Sequence, residues 1–176
     1  IADYHPDPNF MESIPFDSFI TIRPENLKAS YVPDQAESIV PDLIELLIIK
    51  GRNILYLPRY ADDHRYIKKH KQIYVPNEPL NGLDVCYYSD AVLTGAGTFA
   101  REAALLGTPA ISFFAGKKLL SVDQSMVESK LMHHSRDINE IIKILDHAKK
   151  GKPQFEQSKI VQKEVITLLE GIILKN

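Results

Sequence analysis

Short apolar runs recur along this chain, FITIR (19–23), NILYL (53–57), QIYV (72–75), AVLT (91–94) and AISFF (110–114), and between them lie stretches with helical character. This alternation constrains the fold more than any other feature. Runs of four or five apolar residues are the length of strands, and their near-continuous apolarity requires burial on both faces. Parallel strands joined by crossover helices provide that burial. The helical stretches are 34–50, 62–70, 80–89, 98–106, 121–130, 137–150 and 156–174, with a further short strand at 131–134. Pro41 places the start of the first helix near itself or kinks it, and Gly51 stops it. In 62–70, acidic residues lead and basic ones follow, which suits a helix dipole. The last stretch is amphipathic through Ile160, Val161, Val165, Leu168, Leu169 and Ile172. The expected architecture is α/β, a Rossmann-like parallel sheet of about six strands with helices on both faces. Its ligand site should lie at the carboxyl ends of the strands.

The remaining bulk properties exclude more than they assign. With 176 residues, the chain is long enough for one domain with a substantial core. A net charge of −2 gives no global field for nucleic acid. No apolar run approaches the roughly 20 residues of a membrane span. Cys86 is the only cysteine, so an internal disulfide is impossible and a reducing, cytoplasmic setting is expected. The opening IADYHPDPNF is polar and proline-rich. Residues 1–17 therefore read as a linker from a missing N-terminal half, and 18–176 as the folded domain. The six histidines have no metal-ligand context, since His133 and His134 are adjacent and point to opposite faces of a strand. No metal and no resident cofactor are expected. Lys68, Lys69 and Lys71 read as a solvated helix end, and Cys86 as a buried side chain.

The chemistry concentrates in DAVLTGAGTFAREAALLGTP (90–109). Gly95 and Gly97 permit close backbone approach, and the first amides of a helix follow at once. Together they suit a phosphate, with the Thr98 hydroxyl beside it. Glu102 lies one turn further on the face of Thr98, where a carboxylate can accept hydrogen bonds from a ribose diol. A tight turn into a buried helix, with Phe99, Ala103 and Leu106 packing and Glu102 exposed, accounts for the same residues. Arg23 and Arg59 end the first two strands and would point into the same cleft; surface arginines at strand ends are the alternative. A dinucleotide oxidoreductase is disfavoured, because GAGTFA lacks the full glycine fingerprint and lies late in the chain.

The segment 90–109 resembles the nucleotide-sugar site in the C-terminal domain of GT-B-fold proteins. It is similar, in register, to the Ser/Asp-Gly-Gly…Glu…Gly-x-Pro segment of UDP-N-acetylglucosamine 2-epimerases, and to the matching segment of the N-acetylglucosaminyltransferase that makes lipid II. The resemblance implies that Gly97 and Thr98 meet a diphosphate and that Glu102 meets a ribose. The chain departs from the epimerases at Arg101, where they carry a second glutamate, and at Gly95, where they carry aspartate. FITIRPENLKASY, ILYLPRY and AISFFAGKKLLSVDQ further resemble a microbial family defined only as a domain of unknown function and allied to these enzymes. By the same resemblance, Lys28, Ser30 and Tyr31 lie where phosphate is contacted. The backbone near Val75 and Pro76 lies where the base pairs, and Asp123 and Gln124 lie where sugar hydroxyls are met.

The function expected from the resemblance is a nucleotide-diphospho-sugar-binding C-terminal domain, with a UDP-sugar favoured. The parent would be a glycosyltransferase- or epimerase-like protein whose catalytic groups come from the other half, so that the chain alone catalyses nothing. The alternative is a non-catalytic nucleotide-sensing or assembly module on the same fold. The candidate site is Gly95, Gly97, Thr98, Glu102, Arg23, Arg59, Asp123 and Gln124. The oligomeric state is left open.

Overall fold

A computed structural model of the chain describes residues 1–173. Six parallel strands form one sheet: β1 (Ile20–Arg23), β2 (Ile54–Tyr56), β3 (Ile73–Tyr74), β4 (Ala91–Thr94), β5 (Ala110–Ser112) and β6 (His133–His134). Their order is β3-β2-β1-β4-β5-β6, with every neighbouring pair parallel. The expected doubly covered parallel sheet is what the chain forms. The six helices are α1 (Val40–Ile49), α2 (Gly82–Tyr88), α3 (Gly97–Leu105), α4 (Ser121–Glu128), α5 (Ile138–His147) and α6 (Phe155–Ile173). Leu174, read as the last residue of the final helix, lies outside the described residues.

Side-chain alternation splits the core between the two faces of the sheet. Ile20, Ile22, Ile54, Tyr56 and Leu93 pack with the buried stripes of α1 and α5. Leu55 and Val92 pack on the opposite face, against Val85 of α2 and Phe99, Ala100 and Ala103 of α3. Thr21, between two core-facing isoleucines, is buried but shares a 2.6 Å hydrogen bond with Ser89 Oγ. Asn81 and Asp137 cap α2 and α5 by accepting two backbone amides each.

Several expected helices are shorter than their sequence stretches, two of them for a visible reason. The first begins at Val40 rather than near residue 34, so of the two alternatives for Pro41 the helix takes a start beside it, in the opening turn, where its missing N–H costs nothing. Gly51 ends it at φ +74°. The stretch 62–70 forms only a 3-10 turn, Ala61–Tyr66. With few apolar residues it has no stripe to bury, so packing cannot sustain a longer helix.

Residues 1–17 lie along the domain. Phe10 and Ile14 are buried in the α2/α3 side of the core, and a 3-10 turn spans Phe10–Ser13. Tyr4 donates to Asp84 at 2.6 Å, and the Phe10 ring stacks on Tyr88 at 5.2 Å. At the other end, α6 buries none of its described residues; its apolar face, Ile160, Val161, Val165, Leu168 and Leu169, is exposed. Among the described residues, no helix is long and apolar enough to cross a membrane.

Candidate functional site

The strand order reverses between β1 and β4: the chain moves from β1 outward to β3, then returns to place β4 on the other side of β1. Loops leaving β1 and β4 therefore diverge and open a crevice at the carboxyl edge of the sheet. A cavity of about 880 Å³ occupies this crevice. That volume suits a small-molecule ligand.

Its floor is the start of α3. The Ala96 amide donates back to Thr94 Oγ1 at 2.9 Å, which fixes the turn out of β4. Ala100 is the first amide of the helix to find an acceptor, Ala96 O at 3.1 Å. The amides of Gly97, Thr98 and Phe99 have no acceptor among the described residues. Three aligned donors at the positive end of a nine-residue helix have the chemistry to receive an anion, a candidate anion seat.

The two glycines have different physical reasons. A Cβ on Gly95 would lie 2.4 Å from Glu25 Cα, so glycine is dictated there by the backbone leaving β1. A Cβ on Gly97 would meet only side-chain ends, Arg101 Nη1 and Asp123 Oδ2, each at 3.0 Å. Gly97 thus keeps the space over the free amides open.

Arg23 and Arg59 both line the cavity. Burial lowers the pKa of Arg23, and the neighbouring Arg59 charge lowers it further. The Arg23 guanidinium sits 5.8 Å from the centroid of Phe99. Asp63 accepts the backbone amides of Arg59 and Tyr60 at 2.8 and 2.9 Å and so fixes the loop that carries Arg59. Among the described residues neither guanidinium has a salt bridge, and Arg59 Nε is sealed from solvent with no hydrogen-bond partner. Two neighbouring, half-buried cations without a salt bridge, with Asp63 and Glu102 near Arg23 but not in contact, could receive an anion.

Thr98 and Glu102 share the cavity-facing side of α3, while Phe99, Ala103 and Leu106 are buried. No hydrogen bond or salt bridge from the described residues reaches the Glu102 carboxylate. Burial pushes its pKa up, an effect offset in part by Arg101 and Arg23.

Asp123 and Gln124, adjacent in sequence, part company. Asp123 is buried and pairs with Arg101 at 2.5 Å, and Arg101 also donates to Thr98 Oγ1 at 3.1 Å. This pair forms one wall of the cavity. Gln124 is exposed, donates to Glu128 one turn along at 2.9 Å, and does not line the cavity. Lys28 pairs with Asp62 on the surface at 3.1 Å, and Ser30, Val75 and Pro76 lie outside the cavity, whereas Tyr31 lines it. Cys86 is buried. Among the described residues no cluster of His, Cys, Asp or Glu could hold a metal ion.

Sequence reasoning missed the Arg101–Asp123 pair, the cavity-lining Lys117 and Lys118, and the buried Glu25 behind Gly95. Arg101 carried a signal, as the residue standing where the epimerases have a glutamate. Glu25 carried none.

The family model described as "Protein of unknown function (DUF354)" matches residues 4–171. The Uncharacterized protein MJ0665 of Methanocaldococcus jannaschii is 36% identical over 112 residues, which cover 62% of this chain and 32% of that protein. Among solved structures, UDP-GlcNAc 2-epimerase of the same organism superposes with a TM-score of 0.63 at 16% identity, over 89% of this chain and 48% of the epimerase. Its complex with UDP-GlcNAc and UDP gives 0.58 at 16% identity, over 89% and 47%. The calicheamicin glycosyltransferase CalG4 gives 0.51 at 14% identity, over 93% and 40%. These likenesses establish the Rossmann-like fold of GT-B proteins. The chain spans about a third to a half of the length of these relatives.

Proposed function

Since the chain belongs to the family described as "Protein of unknown function (DUF354)", we propose a function from its own cavity: binding of a nucleotide-diphospho-sugar, with a UDP-sugar favoured, as one half of a glycosyltransferase- or epimerase-like protein. The observation that carries this reading is the convergence on a single cavity of three amides, two guanidinium groups and one carboxylate that have no hydrogen-bond partner or salt bridge among the described residues. The amides and arginines are a seat for a diphosphate. Glu102, one turn along the same helix face, suits a ribose diol. Neighbours of the same fold bind UDP-GlcNAc. In a transferase, the same donors would stabilise a departing nucleoside diphosphate as its charge develops.

The acceptor and any general base would come from another half of the protein. The exposed apolar face of α6 and the share of each relative that the chain spans support such a half. The test is titration of the full-length protein with UDP-, GDP- and CDP-sugars, scored for binding and turnover. Turnover selects an enzyme, and saturable binding without turnover selects a sensing module. No saturable binding by any of them overturns the reading.

Glu102→Gln separates a ribose contact from a merely exposed carboxylate. Hydrogen bonds to a charged acceptor contribute about 1.5–3 kcal/mol. Affinity for UDP should therefore fall about tenfold or more, and discrimination between ribose and 2′-deoxyribose should shrink with it. Stability should move the other way. Burial raises the folded-state pKa of Glu102 above its ordinary value of 4.5. Its ionised form then costs stability as pH rises above that value, and costs nothing below it. The variant should be as stable as the parent, or slightly more so, at neutral pH, and indistinguishable at acid pH. Thermal unfolding at both pH values, with calorimetric titration of UDP and 2′-deoxy-UDP, checks both signs. Unchanged nucleotide affinity refutes the contact.

A further inference from the structure

The cavity holds more positive charge than a diphosphate uses. Arg101 is neutralised by Asp123, and Arg23 and Arg59 face the anion seat. Lys117 and Lys118 remain, both on the loop between β5 and α4 and both lining the same cavity. Among the described residues neither ammonium has an acidic partner or a hydrogen bond. Among the described residues four cations of this cavity thus lack a salt bridge, with Glu102 and Asp63 the acids near Arg23 and neither of them paired with the lysines. Two adjacent unpaired lysines in a protein of net charge −2 are not explained by overall basicity.

Their position says which part of a ligand they would meet. The loop that carries them runs into α4, and Asp123 near the start of α4 lies 3.0 Å from where a Gly97 Cβ would be. The loop therefore abuts the anion seat. A ligand with its ribose on Glu102 and its diphosphate over Gly97 presents its next group to this loop. Flexible ammonium groups suit a carboxylate or phosphate at variable distance, whereas neutral sugar hydroxyls are better held by fixed acceptors such as Asp123.

Resting on the nucleotide-sugar reading, we propose that the ligand set of this cavity includes a further anionic group beyond the diphosphate, a carboxylate or phosphate received by Lys117 and Lys118. It would be carried either on the sugar itself, as in a uronic acid, or on a phosphorylated acceptor. An anion drawn in by two exposed ammonium groups also makes the added affinity salt-sensitive.

Three calorimetric titrations of the full-length protein test this at low ionic strength: UDP-glucose, UDP-glucuronate, and UDP-glucose in the presence of a short polyprenyl phosphate. Each is repeated with the double variant K117Q/K118Q, in which two exposed side chains change and the fold is kept. The expected result is at least about tenfold tighter binding in one of the two anionic arms than with UDP-glucose alone. The arm that shows it identifies the source of the charge. In the double variant that preference collapses, while affinity for UDP-glucose stays within about twofold. Equal affinities in all arms of the parent, or a preference that survives in the variant, overturn the inference and leave the nucleotide-sugar reading standing. Absence of binding by UDP-glucose and both other probes overturns the inference and the UDP-sugar preference on which it rests.

Discussion

Replacing Glu25 with alanine is expected to lower the stability of the protein by about 3–5 kcal/mol, the cost of leaving a buried ion-pair partner uncompensated. Glu25 is 3% exposed. Its carboxylate accepts from Arg136 Nη1 at 3.0 Å, from Ser38 Oγ at 2.7 Å and from the Ile39 amide at 3.2 Å. Arg136 in turn donates to Phe113 O at 2.7 Å and to Glu37 O at 2.6 Å. One ion pair thus ties together the exit of β1, the entry to α1, the end of β5 and the approach to α5. Alanine removes three acceptor contacts and strands a half-buried guanidinium. At roughly 2–4 °C per kcal/mol for a chain of this size, Tm should fall by about 6–20 °C. Glu25→Gln keeps the shape; its one carbonyl oxygen can accept from Ile39 and Arg136 while its amide donates to Ser38 Oγ, so its cost should be smaller. Chemical denaturation of both variants provides the check. A loss below about 1 kcal/mol for alanine would mean that the pair contributes no more than an exposed one.

The second large effect is a contrast between two glycines that are two residues apart. Gly95→Ala should destabilise by about 3 kcal/mol or more, because the added methyl meets backbone, Glu25 Cα at 2.4 Å, and the loop leaving β1 must be displaced. Gly97→Val should leave the fold intact. Its Cβ meets only the side-chain ends of Arg101 and Asp123, each at 3.0 Å, so their ion pair need give by only a few tenths of an ångström. The valine methyls would instead fill the space above the free amides of α3. Losing two hydrogen bonds to a charged phosphate corresponds to about a hundredfold or more in affinity. Unfolding curves and UDP titrations of both variants separate the roles. Gly97→Val binding UDP like the parent would remove the anion seat from the account. Gly95→Ala as stable as the parent would remove the packing explanation for that glycine.

How much of this was legible in the sequence follows from the range of the interactions involved. The strands and their order along the chain were readable, because burial on both faces leaves a continuous apolar run such as AVLT. The helix start at Gly97 and the shared face of Thr98 and Glu102 were readable, because both are set within one turn of chain. The short turn at Ala61–Tyr66 was misread as a longer helix because a favourable charge order does not replace an apolar stripe. The Glu25–Arg136 pair spans 111 residues and the Arg101–Asp123 pair 22, and no local pattern encodes either. Gly95 shows the same limit from the other side. Its glycine is a local signal, but the cause is the backbone of Glu25, seventy residues earlier in the chain.

The most direct test of the account is a nuclear magnetic resonance titration of the chain with UDP, following backbone amides and arginine side chains. If the carboxyl edge of β1 and β4 seats a nucleoside diphosphate, the amides of Gly97, Thr98 and Phe99 and the Nε resonances of Arg23 and Arg59 should shift together along one saturable curve. The same resonances should respond more weakly to 2′-deoxy-UDP. Shifts confined to other surfaces, or none at millimolar UDP, would contradict the assignment of this cavity to a nucleotide-sugar.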